Sequence, residues 1–439
     1  MTSTPFTRRG FLGAAAGAAA VPLLASCGSS TSSSSGSSGG AAASGAIKFW
    51  DMPWGAQAYS DASKKVTEAY VPEGKNLKAA WQGIQWNNFY QTFASAIASK
   101  TGPAVSTGGG FQAYQFAEQG AIAMADDVVA TMKTNGMFDD LLPGVLEGFK
   151  TKDGYVALPW QTDMRVYWYR KSLLEKAGVA VPTDWPSLLE AGKALKKIGV
   201  IGFCTGSGAG NFLGNHWAVS MLINNGGGVW TPEGDIDVVN DRNQEAVEFM
   251  LEMVSAGAID PGAVGFTTDN MDAQWKNSKT GYGMFGAYLP QRVGDTSGDI
   301  VAAPPLTGPN GDKTALQFVN NIMMYKNTPD QASSEAFVIY YLQQLKGYWQ
   351  QALVGGLPVF KSITELPEFT KDPNAVQIVK DYSPIAKTFA ARGTASTANT
   401  AVLDGGQALN KFAQSILTGK TDAKTILNDF ATGLKAAVK

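Results

Sequence analysis

Three short apolar runs, each followed by a stretch of helical period, limit the folds open to this chain more than any other feature. Residues 47–50 read as a strand, and helical spacing follows from about Asp61 to Tyr70. Residues 77–81 make a second strand, and Phe89, Phe93 and Ile97 at spacing four mark the next helix. Residues 102–105 lead a third strand through Gly108-Gly109-Gly110 into a helix over 111–119. This alternation predicts an α/β fold with a mostly parallel sheet flanked by helices. In open sheets of that kind ligands gather beyond the carboxyl ends of the strands.

The loops beyond those strand ends are aromatic and polar. Trp50-Asp51-Met52-Pro53-Trp54 comes after the first strand, Trp81-Gln82-Gly83-Ile84-Gln85-Trp86 after the second, and the glycine triplet after the third. Flat rings beside amides and carboxylates suit a sugar, which has an apolar C–H face to stack and a rim of hydroxyls to hydrogen-bond. Trp50, Asp51, Trp54, Gln85, Trp86 and Gly109 are therefore candidate ligand residues. Gly108-Gly109-Gly110-Phe111 lacks the lysine of a P-loop, and residues 308–314 fail the Walker spacing, so both read as turns.

The stretch 154–194 organises the middle of the chain. Residues 155–158 are apolar and stopped by Pro159, the polar Trp160-Gln161-Thr162-Asp163 forms a crossover, and residues 165–169 alternate as a strand. A short helix over 171–177 closes at Gly178, and Thr183 or Asp184 caps the next helix, whose apolar face is Leu188, Ala191 and Leu195. Tyr155-Val156-Ala157-Leu158-Pro159, a polar segment, Val166-Tyr167-Trp168-Tyr169, a lysine, a helix ending Lys176-Ala177-Gly178, then Pro, Thr and Trp185 resembles the extracellular solute-binding proteins of carbohydrate ABC importers. Tyr169-Arg170-Lys171 departs from that family's usual Tyr-Asn-Lys, and Asp184 intervenes between Thr183 and Trp185.

The resemblance extends over residues 46–439 and implies the two-lobe periplasmic-binding-protein fold, each lobe a mostly parallel sheet flanked by helices. Residues 46–159 with 315–361 would form lobe 1, and 160–314 with 362–439 lobe 2. Hinge crossovers fall near Trp160, Thr314 and Lys361. Trp160 and Asp163 lie on the first of them. The family presents an aromatic at a helix start after a glycine-rich loop, which implies Trp217 and its neighbour His216, with Asn215 opening that helix. Asn277-Ser278-Lys279-Thr280-Gly281-Tyr282-Gly283-Met284 is similar to the family's Asn-Gly-Lys-x-Ala-Met, which places Tyr288 at its sugar-stacking aromatic. Gly355-Gly356-Leu357-Pro358-Val359 resembles the family's Gly-x-Leu-Pro-Val and brings Gly356 to the cleft border. Asp241 reads as the cap of the helix that carries Val247, Met250 and Val254.

The first 27 residues read as an export signal. Thr7-Arg8-Arg9-Gly10-Phe11-Leu12 is a twin-arginine pattern, and the uncharged run behind it, about 16 residues, is shorter than the roughly 20 that span a bilayer. Leu24-Ala25-Ser26-Cys27 looks like a lipobox, which would make Cys27 the lipidated first residue of the mature protein. Residues 28–45 hold only Gly, Ser, Thr and Ala and read as a flexible tether with a reach on the order of 25 Å.

The rest of the composition excludes more than it proposes. The body, near 390 residues, is too long for one ordinary core. Removing Arg8 and Arg9 leaves 33 basic residues against 37 acidic, with no basic run, which argues against nucleic acid. Cys204, alone after Cys27 is lipidated, reads as a buried structural thiol. The single histidine can build neither a multi-histidine zinc site nor, without a Gly-x-Ser-x-Gly elbow, a recognisable triad. Asp51 and Asp163 would serve a glycoside hydrolase as acid and base, or a binder as acceptors, and sequence does not separate the two. The expectation is a monomeric, lipid-anchored receptor outside the cell membrane, without cofactor, that closes on a carbohydrate and delivers it to the transmembrane subunits of an ABC permease. A secreted glycoside hydrolase and a receptor for a polyamine or peptide remain the alternatives.

Overall fold

A computed structural model describes residues 45–86, 89–393, 398–404 and 406–438; the leader, the Cys27 lipobox and nearly all of the tether lie outside them. The three apolar runs lead into parallel neighbours, the second and third strands starting two and three residues later than the runs do. Ile47–Asp51 lies between Ala79–Gly83 and Val105–Gly108, pairing with both in parallel. Their connecting helices, Gln57–Glu68 and Phe89–Ala98, supply Tyr59 and Phe93 to the core, both fully buried.

The sheet then continues through strands that return from elsewhere in the chain. Ala315–Tyr325 runs antiparallel to Val105–Gly108 and, on its other side, to the 13-residue strand Leu158–Arg170. That long strand goes on to pair antiparallel with Tyr282–Gly286 and Ile300–Ala302. Its first half therefore belongs to the sheet begun at Ile47, and its second half to a further lobe. There the sheet is mixed, because Ile201 and Cys204 bridge in parallel to Thr280 and Gly283.

The long strand corrects the sequence reading. Pro159 does not stop it, and Trp160 to Asp163 are strand rather than loop. The register slips so that Asn320 faces Gln161 while Asn321 faces Pro159, which leaves Trp160 as the extra residue of a β-bulge. A bulge is a place where a strand tolerates the missing N–H of proline. The strand's other edge is closed by Leu357, which exchanges two 2.8 Å backbone hydrogen bonds with Thr162. Three crossing segments are thus zipped side by side at the junction of the lobes.

Two helix starts also move. The helix Phe212–Asn224 begins a turn before Asn215 and is capped by Asn211, whose side chain accepts from the Gly214 N–H. Asn240, not Asp241, caps Asp241–Ser255. Both asparagines offer the side-chain oxygen that a helix N-terminus needs, so residue type alone does not settle which polar residue takes that place. Asp184 caps Trp185–Lys197 in a reciprocal capping box with Ser187. Cys204 is 1% exposed, and burial raises its thiol far above the ordinary range. Among the described residues no helix is long and apolar enough to cross a membrane.

Candidate functional site

The zipped crossings form a floor, and each lobe adds a wall. Trp160 is fully buried in the floor, stacked on Trp54 at 5.4 Å and 27°. Trp54 in turn meets the edge of Trp86 at 5.1 Å, and Trp86 meets Phe89 at 5.3 Å. Trp86 is 39% exposed, so this file of rings runs from floor to solvent. The Gly355 N–H donates to the Trp54 carbonyl at 3.1 Å and fastens the first wall to the third crossing.

Glycines make the close approaches possible. A Cβ on Gly356 would fall on Gln161 Oε1, and a Cβ on Gly355 would lie 3.0 Å from the ring of Tyr288. The second lobe's aromatic is thereby laid directly on the crossing. Gly109 is clasped from both sides: its N–H donates to Gln112 Oε1 at 2.6 Å, and its carbonyl accepts from Asn321 Nδ2 at 2.9 Å.

Charge at the junction is paired. Arg165 Nη1 donates to Asp163 Oδ1 at 2.6 Å, Arg165 Nε donates to His216 Nδ1 at 3.0 Å, and the guanidinium lies over Phe318 at 4.8 Å. The acceptor role of Nδ1 puts the imidazole proton on Nε2, which donates to Asp404 Oδ1 at 2.6 Å. Burial lowers the His216 pKa and outweighs the opposing pull of Asp404, so the ring is neutral at pH 7. With both nitrogens engaged, His216 is no free general base. Burial, and then the charge of Asp163, raises the Tyr288 hydroxyl, against the neighbouring Arg292. Arg292 itself is held by Asp272 at 2.8 Å.

Asp51 lies behind the first wall. It is 2% exposed, with Thr107 and Tyr59 donating to its oxygens, and burial raises its pKa to about 6 despite those donors. Several buried polar atoms near the floor have no partner among the described residues: Trp160 Nε1, Gln161 Oε1, Asn321 Oδ1 and Gln112 Nε2. Unmet donors and acceptors of this kind cost about 1–3 kcal/mol each and are relieved by water or a hydroxylated ligand. A cavity beside Phe318 is lined by Phe111 and Phe149 from the first lobe and by Phe389 and Thr400 from the C-terminal part. Among the described residues no group of three or more metal-ligating side chains gathers.

The model for the bacterial extracellular solute-binding proteins matches residues 54–344. The chain belongs to that family. Among solved structures, this solute-binding protein is 68% identical to a sugar transporter from Arthrobacter chlorophenolicus with bound laminaribiose, at a TM-score of 0.86 over 90% of this chain and 100% of the other. It also superposes on the cyclic alpha-maltosyl-1,6-maltose binding protein of Arthrobacter globiformis, at 17% identity and a TM-score of 0.71 over 90% and 99%, which is a likeness of fold. A putative binding protein of Brucella abortus is 22% identical over 287 residues, 64% of this chain and 68% of that one. The relatives are solute-binding proteins with two lobes, and the chain shares their fold.

Measured against the sequence expectations, the structure gathers Trp54, Trp86, Trp160, Asp163, His216, Tyr288 and Gly356 at the junction, with Gly109 beside them on the first wall. Gln85 is exposed next to Trp86. Two tryptophans sit apart in apolar packing: Trp50, against the edge of Phe93 at 5.2 Å, and Trp217, 1% exposed against Phe203 at 5.4 Å. Thr107, Arg165, Phe318, Phe389 and Asp404 escaped sequence reasoning. Arg165 carried a usable signal, a cation opening an otherwise apolar and aromatic strand; Phe389 and Asp404 carried none, being joined to the site only by the fold.

Proposed function

We propose that this solute-binding protein is the membrane-tethered receptor of an ABC importer, capturing a disaccharide or short oligosaccharide between its lobes and delivering it to the transmembrane permease. One observation carries the reading: a file of aromatic rings, from Trp160 through Trp54 to Trp86, rises beside unpartnered buried amide and indole groups, and Tyr288 lies against Gly355, whose N–H holds the Trp54 carbonyl. Rings for C–H faces and unmet polar atoms for hydroxyls are what a carbohydrate requires. The bound laminaribiose of the Arthrobacter chlorophenolicus protein supports a disaccharide of that class as the first ligand to try.

The lobes divide at the zipped crossings, lobe 1 from 46–159 with 315–361 and lobe 2 from 160–314 with 362–439. A ligand touching both lobes binds the closed arrangement better and shifts the population toward it, and that form is the one a permease would read. The twin-arginine leader and the Leu24-Ala25-Ser26-Cys27 lipobox support export and a lipid anchor on the outer face of the membrane. The protein acts as a monomer and a binder rather than a hydrolase: His216 has both nitrogens committed, and Asp51 is sealed behind Thr107.

The test is thermal unfolding of the protein against laminaribiose, maltose, longer glucans and monosaccharides, with each mixture assayed for new reducing ends. At 100 times Kd a ligand stabilises by about 2.7 kcal/mol, a rise of several degrees. A shift without turnover supports the receptor; catalytic release of reducing ends refutes it, and silence across the panel refutes the carbohydrate.

A further inference from the structure

Behind the aromatic wall runs a buried polar relay, with fixed bond directions from the Met52 and Trp54 N–H groups through Thr107 to Asp51. Thr107 Oγ1 accepts the Met52 backbone N–H at 2.9 Å and the Trp54 Nε1–H at 3.0 Å. A hydroxyl has two lone pairs and one proton, so with both lone pairs taken the Thr107 proton goes to Asp51 Oδ1, at 2.6 Å. The other Asp51 oxygen accepts from Tyr59 Oη at 2.9 Å, and the chain continues from Tyr59 to Tyr341 at 3.1 Å and from Tyr341 to Ser63 at 3.0 Å. Asp51, Thr107, Tyr59, Ser63 and Tyr341 are all at most 2% exposed, so water offers no substitute partner.

We propose that Thr107 and Asp51 are positioning residues of the sugar site: they fix the rotation of the Trp54 indole, and with it the alignment of the wall between Trp160 and Trp86, without touching the ligand. The proposal rests on the carbohydrate reading above. Among the described residues Trp54 is otherwise located by ring contacts, its carbonyl bond from Gly355 and the chain itself. Ring contacts resist tilting weakly, whereas a buried indole N–H stripped of its acceptor seeks another, and the ring turns with it. A stacking surface that must be ordered at the moment of binding loses affinity compared with one already set. The relay also explains why Asp51, the last residue of its strand beside the cleft, presents neither oxygen to it.

The test pairs isosteres on the full-length protein. Thr107→Val keeps the shape and removes the hydroxyl, Thr107→Ser restores it, and Asp51→Asn retains an acceptor oxygen. Two readouts are taken: the Trp54 indole N–H resonance without ligand, assigned by its loss in Trp54→Phe, and laminaribiose affinity by calorimetry. Thr107→Val should shift that resonance and weaken binding on the order of tenfold, the effect of leaving one buried donor unmet. Thr107→Ser should recover both, and Asp51→Asn should stay within about twofold of wild type, since its Thr107 bond persists. Should the valine variant not fold, Thr107→Ala serves the same comparison. An unshifted indole, or a shifted one with wild-type affinity, overturns the proposal. If the wild type binds no sugar, the carbohydrate reading fails and this site role falls with it, a result told apart from failure of the relay because the indole shift is read without ligand.

Discussion

Asp51 should make the protein less stable at neutral pH than in mild acid, and a single isostere should remove that dependence. Its carboxyl is 2% exposed and its pKa is raised from 3.8 to about 6, chiefly because burial penalises the charged form. In the unfolded chain the group titrates near 3.9. A folded-state value above the unfolded one means the native protein holds the proton more tightly, so this group's stabilisation is complete below about pH 4 and is lost as pH rises through about 6. Some two pH units at 1.36 kcal/mol each give about 3 kcal/mol. In Asp51→Asn the side-chain oxygen still accepts from Thr107, while the amide donates to Tyr59 Oη, whose own proton turns to Tyr341. Urea unfolding of wild type and Asp51→Asn at pH 4, 5, 6 and 7 isolates the effect, because every other carboxylate is common to both. The variant's stability relative to wild type should rise by about 2 kcal/mol from pH 4 to pH 7, most steeply between 4 and 6. Curves that stay parallel across that range would refute the reasoning.

Trp50 and Trp86 should separate packing from binding: Trp50→Ala, at a side chain 7% exposed, should cost about 3–5 kcal/mol in urea unfolding. Trp86→Ala, at a ring 39% exposed, should change stability by about 1 kcal/mol or less yet weaken sugar binding roughly fivefold to tenfold by calorimetry. His216→Ala leaves Arg165 Nε and Asp404 without their partner and should lower stability by about 2–4 kcal/mol; a loss under about 1 kcal/mol would show that the pair contributes little. Gly356→Ala drives a methyl into Gln161 Oε1 and to 3.0 Å from the Thr162 carbonyl, so it should cost about 1–3 kcal/mol of stability and lower sugar affinity, read in paired unfolding and binding assays.

Much of the architecture was legible because it rests on local signals. The runs at 47–50, 77–81 and 102–105, with helices between them, required a parallel α/β sheet, and the Gly178 and Asp184 punctuation placed the helices Lys171–Ala177 and Trp185–Lys197. Pro159 misled, because a proline ends a strand unless a bulge absorbs it, and the bulge depends on Asn320 and Asn321, some 160 residues away. The aromatic count at the strand ends announced a stacking surface but not which rings would form it. Trp50 lies on the strand Ile47–Asp51 and Trp54 follows four residues later, yet one packs on Phe93 and the other on Trp160. The polar residues divide likewise: Asp51 faces Thr107 and Tyr59, whereas Asp163 joins Arg165, His216 and Asp404 at the junction. Sequence by itself determined the strand and helix order, the family and the chemistry available to a ligand, since periodicity, capping and residue type act within a few positions. Only the tertiary structure decided which of those groups meet, because burial and hydrogen-bond satisfaction are set by partners that the chain brings together from far apart.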